Sequence, residues 1–199
     1  MALHELVVPA FLVLAFAAGS FSEAEAGTGA TPTPAKSTGR TVLDFKVRGI
    51  DGKEVALSRY RGKVLLIVNT ASKCGFTPQY ADLEALYQRY HAKGFEVLAF
   101  PANNFMNQEP GNDAEIEKFC TLKYDTTFPL FSKVSVKGKD VHPLYDYLTH
   151  ESALPGDVRW NFAKFLVGPD GKVVARFDSK VEPVSPEITG AIESLLATK

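Results

Sequence analysis

Apolar positions along this chain fall into blocks whose spacing distinguishes strands from helices. Lys63 to Asn69 reads KVLLIVN, a continuous apolar run rich in branched residues, as expected of a central strand buried on both faces. Phe95 to Phe100 (FEVLAF) is the next such run. Between them Leu83, Leu86, Tyr87 and Tyr90 recur at helical spacing. Thr77-Pro78 provides a start for that helix, an N-cap followed by proline at the first helical position, and Gly94 provides its end. A second helix is predicted over Asp113–Lys123, with Ile116, Phe119 and Cys120 on one face. Earlier in the chain, Val42 to Val47 reads as a short strand that turns at Asp51-Gly52 and pairs with Val55 to Leu57. Later, Leu144 to Thr149 begins a short helix. Phe165–Val167 and Val173–Phe177 form a hairpin across Gly168-Pro169-Asp170-Gly171, and Ile188, Ile192 and Leu195 mark a last helix.

The order strand, helix, strand, helix, hairpin, helix is that of an α/β chain with a thioredoxin-like fold, a central mixed sheet flanked by helices. The strand–helix–strand unit should cross over right-handed and give a parallel pair, to which the hairpin adds antiparallel strands. The strand ends at Asn69 and Phe100 and the strand start at Phe162 then share one edge of the sheet, where ligand sites collect. Three loops remote in sequence, 70–76, 103–111 and 159–161, are expected to converge there.

The residues before Thr41 have a different character. Leu6 to Gly19 is an apolar run too short to span a bilayer and broken by Pro9. Ala24-Glu25-Ala26 follows as a small-x-small cleavage pattern, so residues 1–26 read as an export signal. The segment before the run carries Glu5 and no base, which leaves an uncleaved membrane tether as the alternative. Residues 27–40, GTGATPTPAKSTGR, read as a flexible linker. The folded domain is predicted over 41–199. An exported chain, periplasmic or secreted, is the expected location.

Charge is balanced, with 22 Lys plus Arg against 23 Asp plus Glu, and no basic stripe argues for nucleic acid. Two cysteines, Cys74 and Cys120, are too few for a disulfide scaffold, and no Cys/His cluster suggests a zinc site. They suit a redox pair or one structural disulfide.

Cys74 lies in the first of the three loops, just before a helix start. Partial positive charge and free N–H groups there favour a thiolate, the reactive form of sulfur. A buried inert cysteine is the other reading, and the adjacent Lys73 either adds to the effect or is simply solvated. The second loop supplies Gln108, the third Trp160-Asn161. Their amide and indole N–H groups are neutral donors that would stabilise a thiolate and polarise a bound substrate. A core aromatic is the plain alternative for Trp160.

Asn69-Thr-Ala-Ser-Lys-Cys-Gly-Phe-Thr77 resembles the signature of the glutathione peroxidase family around its peroxidatic residue. Phe100-Pro-Ala-Asn-Asn-Phe105 with Asn107-Gln-Glu-Pro-Gly111 is similar to the family's second signature, and Trp160-Asn-Phe162 with Lys164-Phe-Leu-Val167 to its third. The resemblance runs from about Thr41 to the C-terminus. It implies a catalytic tetrad of Cys74, Gln108, Trp160 and Asn161, and a thiol peroxidase that reduces hydrogen peroxide and organic or lipid hydroperoxides with no cofactor or metal. The Cys74 sulfur would become a sulfenic acid and then condense with a second thiol. In thioredoxin-dependent relatives a resolving cysteine lies in the helix matching Asp113–Lys123, the place of Cys120. A small apolar core residue is the competing reading of Cys120. A disulfide needs Cα atoms within about 7 Å, so an inward-facing helical cysteine implies that this helix opens after oxidation. The reductant implied is a thioredoxin-like protein or glutathione.

Departures from the family pattern bear on this. Ala102 stands where many relatives have cysteine, Asn104 where Gln is common, and Met106 where Gly is usual. The segment between Leu148 and Arg159 is short, which resembles the monomeric branch. The arginine-rich surface expected for glutathione carboxylates is not evident. Two rival readings are a thiol–disulfide exchanger and a non-catalytic secreted binding domain with a Cys74–Cys120 disulfide. The exchanger lacks its C-x-x-C, since Gly75, Phe76 and Thr77 follow Cys74.

Overall fold

A computed structural model describes residues 39–198. The expected export signal and all but the end of the expected linker lie outside the described residues.

The central strand forms where the apolar run demands it. β3 (Val64–Thr70) is buried at every position. It pairs in parallel with β4 (Phe95–Pro101) from Val64↔Phe95 to Thr70↔Pro101. On its other side it pairs antiparallel with β5 (Lys164–Val167), from Leu65↔Val167 to Val68↔Lys164. β6 (Val173–Phe177) closes the hairpin, so the strand order is β4-β3-β5-β6. The two ladders of β3 use both edges of its backbone and leave its side chains alternating between two apolar layers. Leu65 and Ile67 enter a layer with Phe100, Phe131, Leu144, Tyr145 and Phe165. Leu66 and Val68 enter the other, with the apolar faces of α1 (Gln79–Tyr90), α2 (Asp113–Tyr124) and α4 (Pro186–Ala197). The thioredoxin-like arrangement read from the element order is the one observed.

Local chemistry moves several boundaries. The expected strand from Val42 begins as a 3-10 turn, Val42–Asp44. Thr41 and Asp44 form a capping box there, with Thr41 N–H donating to the Asp44 carboxylate at 2.7 Å and Leu43 N–H to the Thr41 hydroxyl. The strand proper, β1, is Lys46–Arg48 and pairs with β2, Glu54–Ala56, one residue earlier than expected. Leu57 instead starts a second 3-10 turn. The short helix begins at Pro143 as α3 (Pro143–Asp146), capped by His142, and widens into a π turn over Tyr147–Glu151. α1 ends at Tyr90 and passes through a 3-10 turn to Gly94, whose φ of 93° needs glycine. No helix among the described residues is long and apolar enough to cross a membrane.

β3 ends with Asn69 acting as a strand partner through its side chain. Its Nδ2–H donates to Trp160 O at 3.1 Å, its Oδ1 accepts Ala163 N–H at 3.1 Å, and its own carbonyl accepts Phe162 N–H. Asn69 itself is fully buried. Replacing Asn69 with Ala strands a buried N–H and a carbonyl. The Asn69→Ala variant is therefore expected to lose on the order of 2 kcal/mol of folding stability, read as a lower midpoint in urea unfolding at unchanged slope.

Candidate active site

The first loop is held by one hydroxyl. Thr77 was expected to cap α1, but its Oγ1 turns back into the loop. It accepts Cys74 N–H at 2.9 Å and donates to Ala71 O at 2.9 Å. Thr77 N–H closes the turn onto Cys74 O. The helix consequently starts later, at Gln79, and its first three N–H groups, of Gln79, Tyr80 and Ala81, make i→i−3 bonds back to Phe76, Thr77 and Pro78. Cys74 is 9% exposed, and its Sγ accepts a hydrogen bond from Phe76 N–H at 3.4 Å.

The second loop, residues 103–111, carries two consecutive left-handed residues, Met106 at φ 50° and Asn107 at φ 53°. Neither is glycine, so the loop holds backbone strain on the order of 1–3 kcal/mol per residue. Side chains sustain it. Asn103 Oδ1 accepts Glu109 N–H at 2.8 Å, and Asn104 Oδ1 accepts Val136 N–H at 2.8 Å. The turn exposes Met106 and places Gln108 against the first loop, where Lys73 N–H donates to Gln108 O at 3.0 Å. Ser72 Oγ donates to the buried Glu109 carboxylate at 3.1 Å, a second link between these loops. Burial pushes the Glu109 carboxyl above its ordinary range, against the opposing pull of Ser72, Lys133 and Lys73.

The third loop arrives through Asn69. Phe162 adopts φ 64°, its carbonyl accepts Lys164 Nζ at 2.8 Å, and the turn directs Asn161 toward the second loop. Asn161 Nδ2–H donates to Gln108 Oε1 at 2.8 Å, and Asn161 is fully buried. Trp160, half-buried, packs on Phe105 with ring centroids 5.5 Å apart. Trp160 and Phe76 both border a cavity of about 670 Å³ whose wall also includes Arg159, Lys164 and Lys180. Lys164 is an unusual member of that wall. It is buried within β5, and desolvation lowers its ammonium to about 8 despite Asp178 and Asp82.

The loops that the sequence predicts to converge are thus joined by hydrogen bonds. The donors are arranged differently from the expectation of three groups around the sulfur. Among the described residues none of Gln108, Trp160 and Asn161 bonds to Cys74 Sγ directly. The Asn161 amide instead orients Gln108.

The glutathione peroxidase family model matches residues 42–149. The chain belongs to the glutathione peroxidase family. It is 51% identical over 166 residues to a hydroperoxy fatty acid reductase of Synechocystis sp., covering 78% of this chain and 96% of that one. It is 43% identical over 179 residues to the thioredoxin/glutathione peroxidase BtuE of Escherichia coli K12, covering 79% and 98%. Among solved structures, that of Trgpx in apo form superposes with a TM-score of 0.65 at 41% identity, covering 79% of this chain and 97% of that one. This chain is accordingly a thiol peroxidase, an oxidoreductase, and neither rival reading is favoured.

The second sulfur of the peroxidase has a different environment. Cys120 is fully buried on the inner face of α2, beside Ile116, in the same apolar layer as Cys74. Burial pushes its thiol up to about 11, with the Glu109 charge adding and the Tyr80 hydroxyl opposing. Both thiols are free. From sequence, Thr77 has only the role of a helix cap, Glu109 and Lys164 only a place within the signatures, and Tyr80 no role at all. For Lys164 a signal was present, a lone cation inside an otherwise apolar strand. For Tyr80 there was none, because a tyrosine at helical spacing looks like any core aromatic.

The two environments predict selective labelling. In the native, reduced protein at pH 8, iodoacetamide should modify Cys74 at least about tenfold faster than Cys120, as read by peptide mass mapping. Because burial pushes the Cys120 thiol up to about 11, its own labelling should rise only as pH approaches that value or when denaturant is added. Equal labelling at pH 8 would contradict this placement.

Proposed function

We propose that Cys74 attacks the hydroperoxide, with Gln108, Trp160 and Asn161 serving the reacting oxygens and Cys120 resolving the product. One observation carries this reading: the cysteine loop is fastened to Gln108 through Lys73 N–H, and Gln108 to Asn161, so residues from three separate signatures form one bonded group.

The Cys74 sulfur attacks the nearer peroxide oxygen, the O–O bond breaks, and the departing oxygen takes a proton to leave as water or an alcohol. The product is a sulfenic acid on Cys74. Phe76 N–H already donates to the sulfur in the resting enzyme and is placed to meet charge that develops there. With its Oε1 bonded to Asn161, Gln108 retains its Nε2 hydrogens for the developing oxyanion, and the Trp160 indole N–H serves the same end. Cys120 then condenses with the sulfenic acid to a disulfide with loss of water. α2 has to open for this, since Cys120 faces inward in an intact helix. α2 buries only Ile116 and Cys120 fully, so local opening costs little of the global stability.

Two features support hydroperoxides of fatty acids as substrates: the Synechocystis relative bears that name, and a roomy cleft opens beside Trp160 and Phe76. A thioredoxin-like protein or glutathione is the reductant supported by the name of the Escherichia coli relative. The protein acts as a single chain. The passage from the π turn at Glu151 to Trp160 is short and contains no helix or strand to build an interface. Gel filtration should show the mass of one chain, and a tetramer would overturn that statement.

Cys74→Ser should lose nearly all peroxide turnover while remaining folded. Gln108→Ala and Trp160→Phe should slow it by roughly ten- to a thousandfold, the range seen when one preorganised donor is removed. Cys120→Ser should consume one equivalent of peroxide and then stop with thioredoxin as reductant. Full turnover by Cys74→Ser in a coupled peroxidase assay would refute the assignment.

A further inference from the structure

Among the buried side chains whose polar atoms complete no hydrogen bond, one lies against the second sulfur. Tyr80, in the first turn of α1, is fully buried. Its ring is the hub of an aromatic cluster, with centroids 5.4 Å from Tyr124, 6.5 Å from Phe119 and 5.5 Å from Phe162. Phe119 and Tyr124 belong to α2 and flank Cys120 in sequence. Phe162 is the left-handed residue of the third loop. Tyr80 therefore touches both the helix that carries the second sulfur and the turn that positions Asn161.

The hydroxyl at the end of that ring completes no hydrogen bond, and neither does the buried hydroxyl of Thr70. The groups within its reach are Thr70 Oγ1 and Cys120 Sγ. A buried donor without an acceptor destabilises a fold, and phenylalanine would fill the same space without that cost. A neutral thiol is a weak acceptor; a thiolate is a strong one. Resting on the reading that Cys120 resolves the sulfenic acid, we propose that Tyr80 is a positioning residue for that step. Its hydroxyl is a donor held for the Cys120 thiolate, and its ring holds α2 until the thiolate departs.

In this step the Cys120 sulfur attacks the Cys74 sulfenic sulfur. An S–S bond forms as the S–O bond breaks, Cys120 is oxidised as the sulfenic sulfur is reduced, and the departing hydroxide takes up from solvent the proton that Cys120 released on ionising, leaving as water. Tyr80 keeps its own proton, since burial raises the phenol far above neutral pH. Donation to the thiolate, once it forms, would offset part of the burial that raises the thiol. The charged group bearing on both is Glu109, from the second loop, and it disfavours either anion. The other titratable side chains packed on the cluster are Tyr124 itself and Lys123, which lies over the Phe119 and Tyr124 rings.

The test is single-turnover kinetics of Tyr80→Phe. Reduced protein is mixed with one equivalent of hydrogen peroxide between pH 6 and 9, then quenched and alkylated at intervals. Sulfenic acid and disulfide are counted separately by mass spectrometry. The first step, oxidation of Cys74, should run at the wild-type rate. Disulfide formation should be about tenfold slower at pH 7, the size expected for one lost bond to a charged acceptor. Its pH profile should move up by about one unit, while the denaturant midpoint stays equal or rises. A wild-type rate and profile would show that Cys120 ionises only after leaving the core, and would overturn the proposal. So would a uniform slowing at every pH with a lowered midpoint, which is the mark of a purely structural role. Cys120→Ser run in parallel separates the two readings. If it forms a normal resolved product, the resolving role of Cys120 fails and this inference with it. If it stops at the sulfenic acid while Tyr80→Phe behaves as wild type, only the role of Tyr80 fails.

Discussion

The site depends on how β3 and β5 stop pairing. Up to Val68 and Lys164 they form an antiparallel ladder. One residue further, the Asn69 side chain takes over, donating to Trp160 O and accepting from Ala163 N–H, while its backbone carbonyl accepts from Phe162 N–H. A side-chain amide is the only neutral group that offers one donor and one acceptor at the spacing of a peptide unit, so it can stand in for a strand neighbour where the strand itself has ended. These bonds are buried, and each stranded partner would be costly. They turn the chain so that Trp160 and Asn161 lie over the end of β3. The cost is a bulky left-handed residue, Phe162, which Lys164 Nζ and the Tyr80 ring then hold in place.

From that anchor the polar bonds run outward in sequence-remote steps: Asn69 to Trp160, Asn161 to Gln108, Gln108 to Lys73, and Ser72 to Glu109. Cys74 is thus fixed by its neighbours and by Thr77 rather than by its own burial. Cys120 shows the opposite design. It has no such network, only a helix with a narrow apolar face and a ring of aromatic neighbours. The rigid sulfur sits where peroxide has to be met in one geometry. The other sits in an element that can come undone.

Much of the fold was legible because it rests on hydrophobic period. The runs at 63–69 and 95–100 could only be central strands, and the spacing of Leu83, Leu86 and Tyr90 only a helix. The three loops followed from strand order. What stayed hidden was decided by side chains acting on nearby backbone. Thr77 followed by Pro78 has the form of a helix cap, but its hydroxyl serves Ala71 and Cys74. Thr41 with Asp44 converts the first residues of a presumed strand into a 3-10 turn. The hydrogen bond of Asn161 to Gln108 is likewise invisible in sequence, because residues of that kind have equal capacity to face a sulfur or each other. Lys164 shows the same limit: a charge inside an apolar stretch can be seen, but what solvates it cannot.

Trp160 is the only tryptophan in the chain, and it sits half-buried at the meeting of the three loops. Its emission therefore carries no background from other indoles. A change in charge or polarity at the end of β3, or in the packing of Phe105 beneath it, alters the surroundings of the one indole. The protein is in this sense its own optical gauge: emission from a single indole reports first on the few residues that touch it.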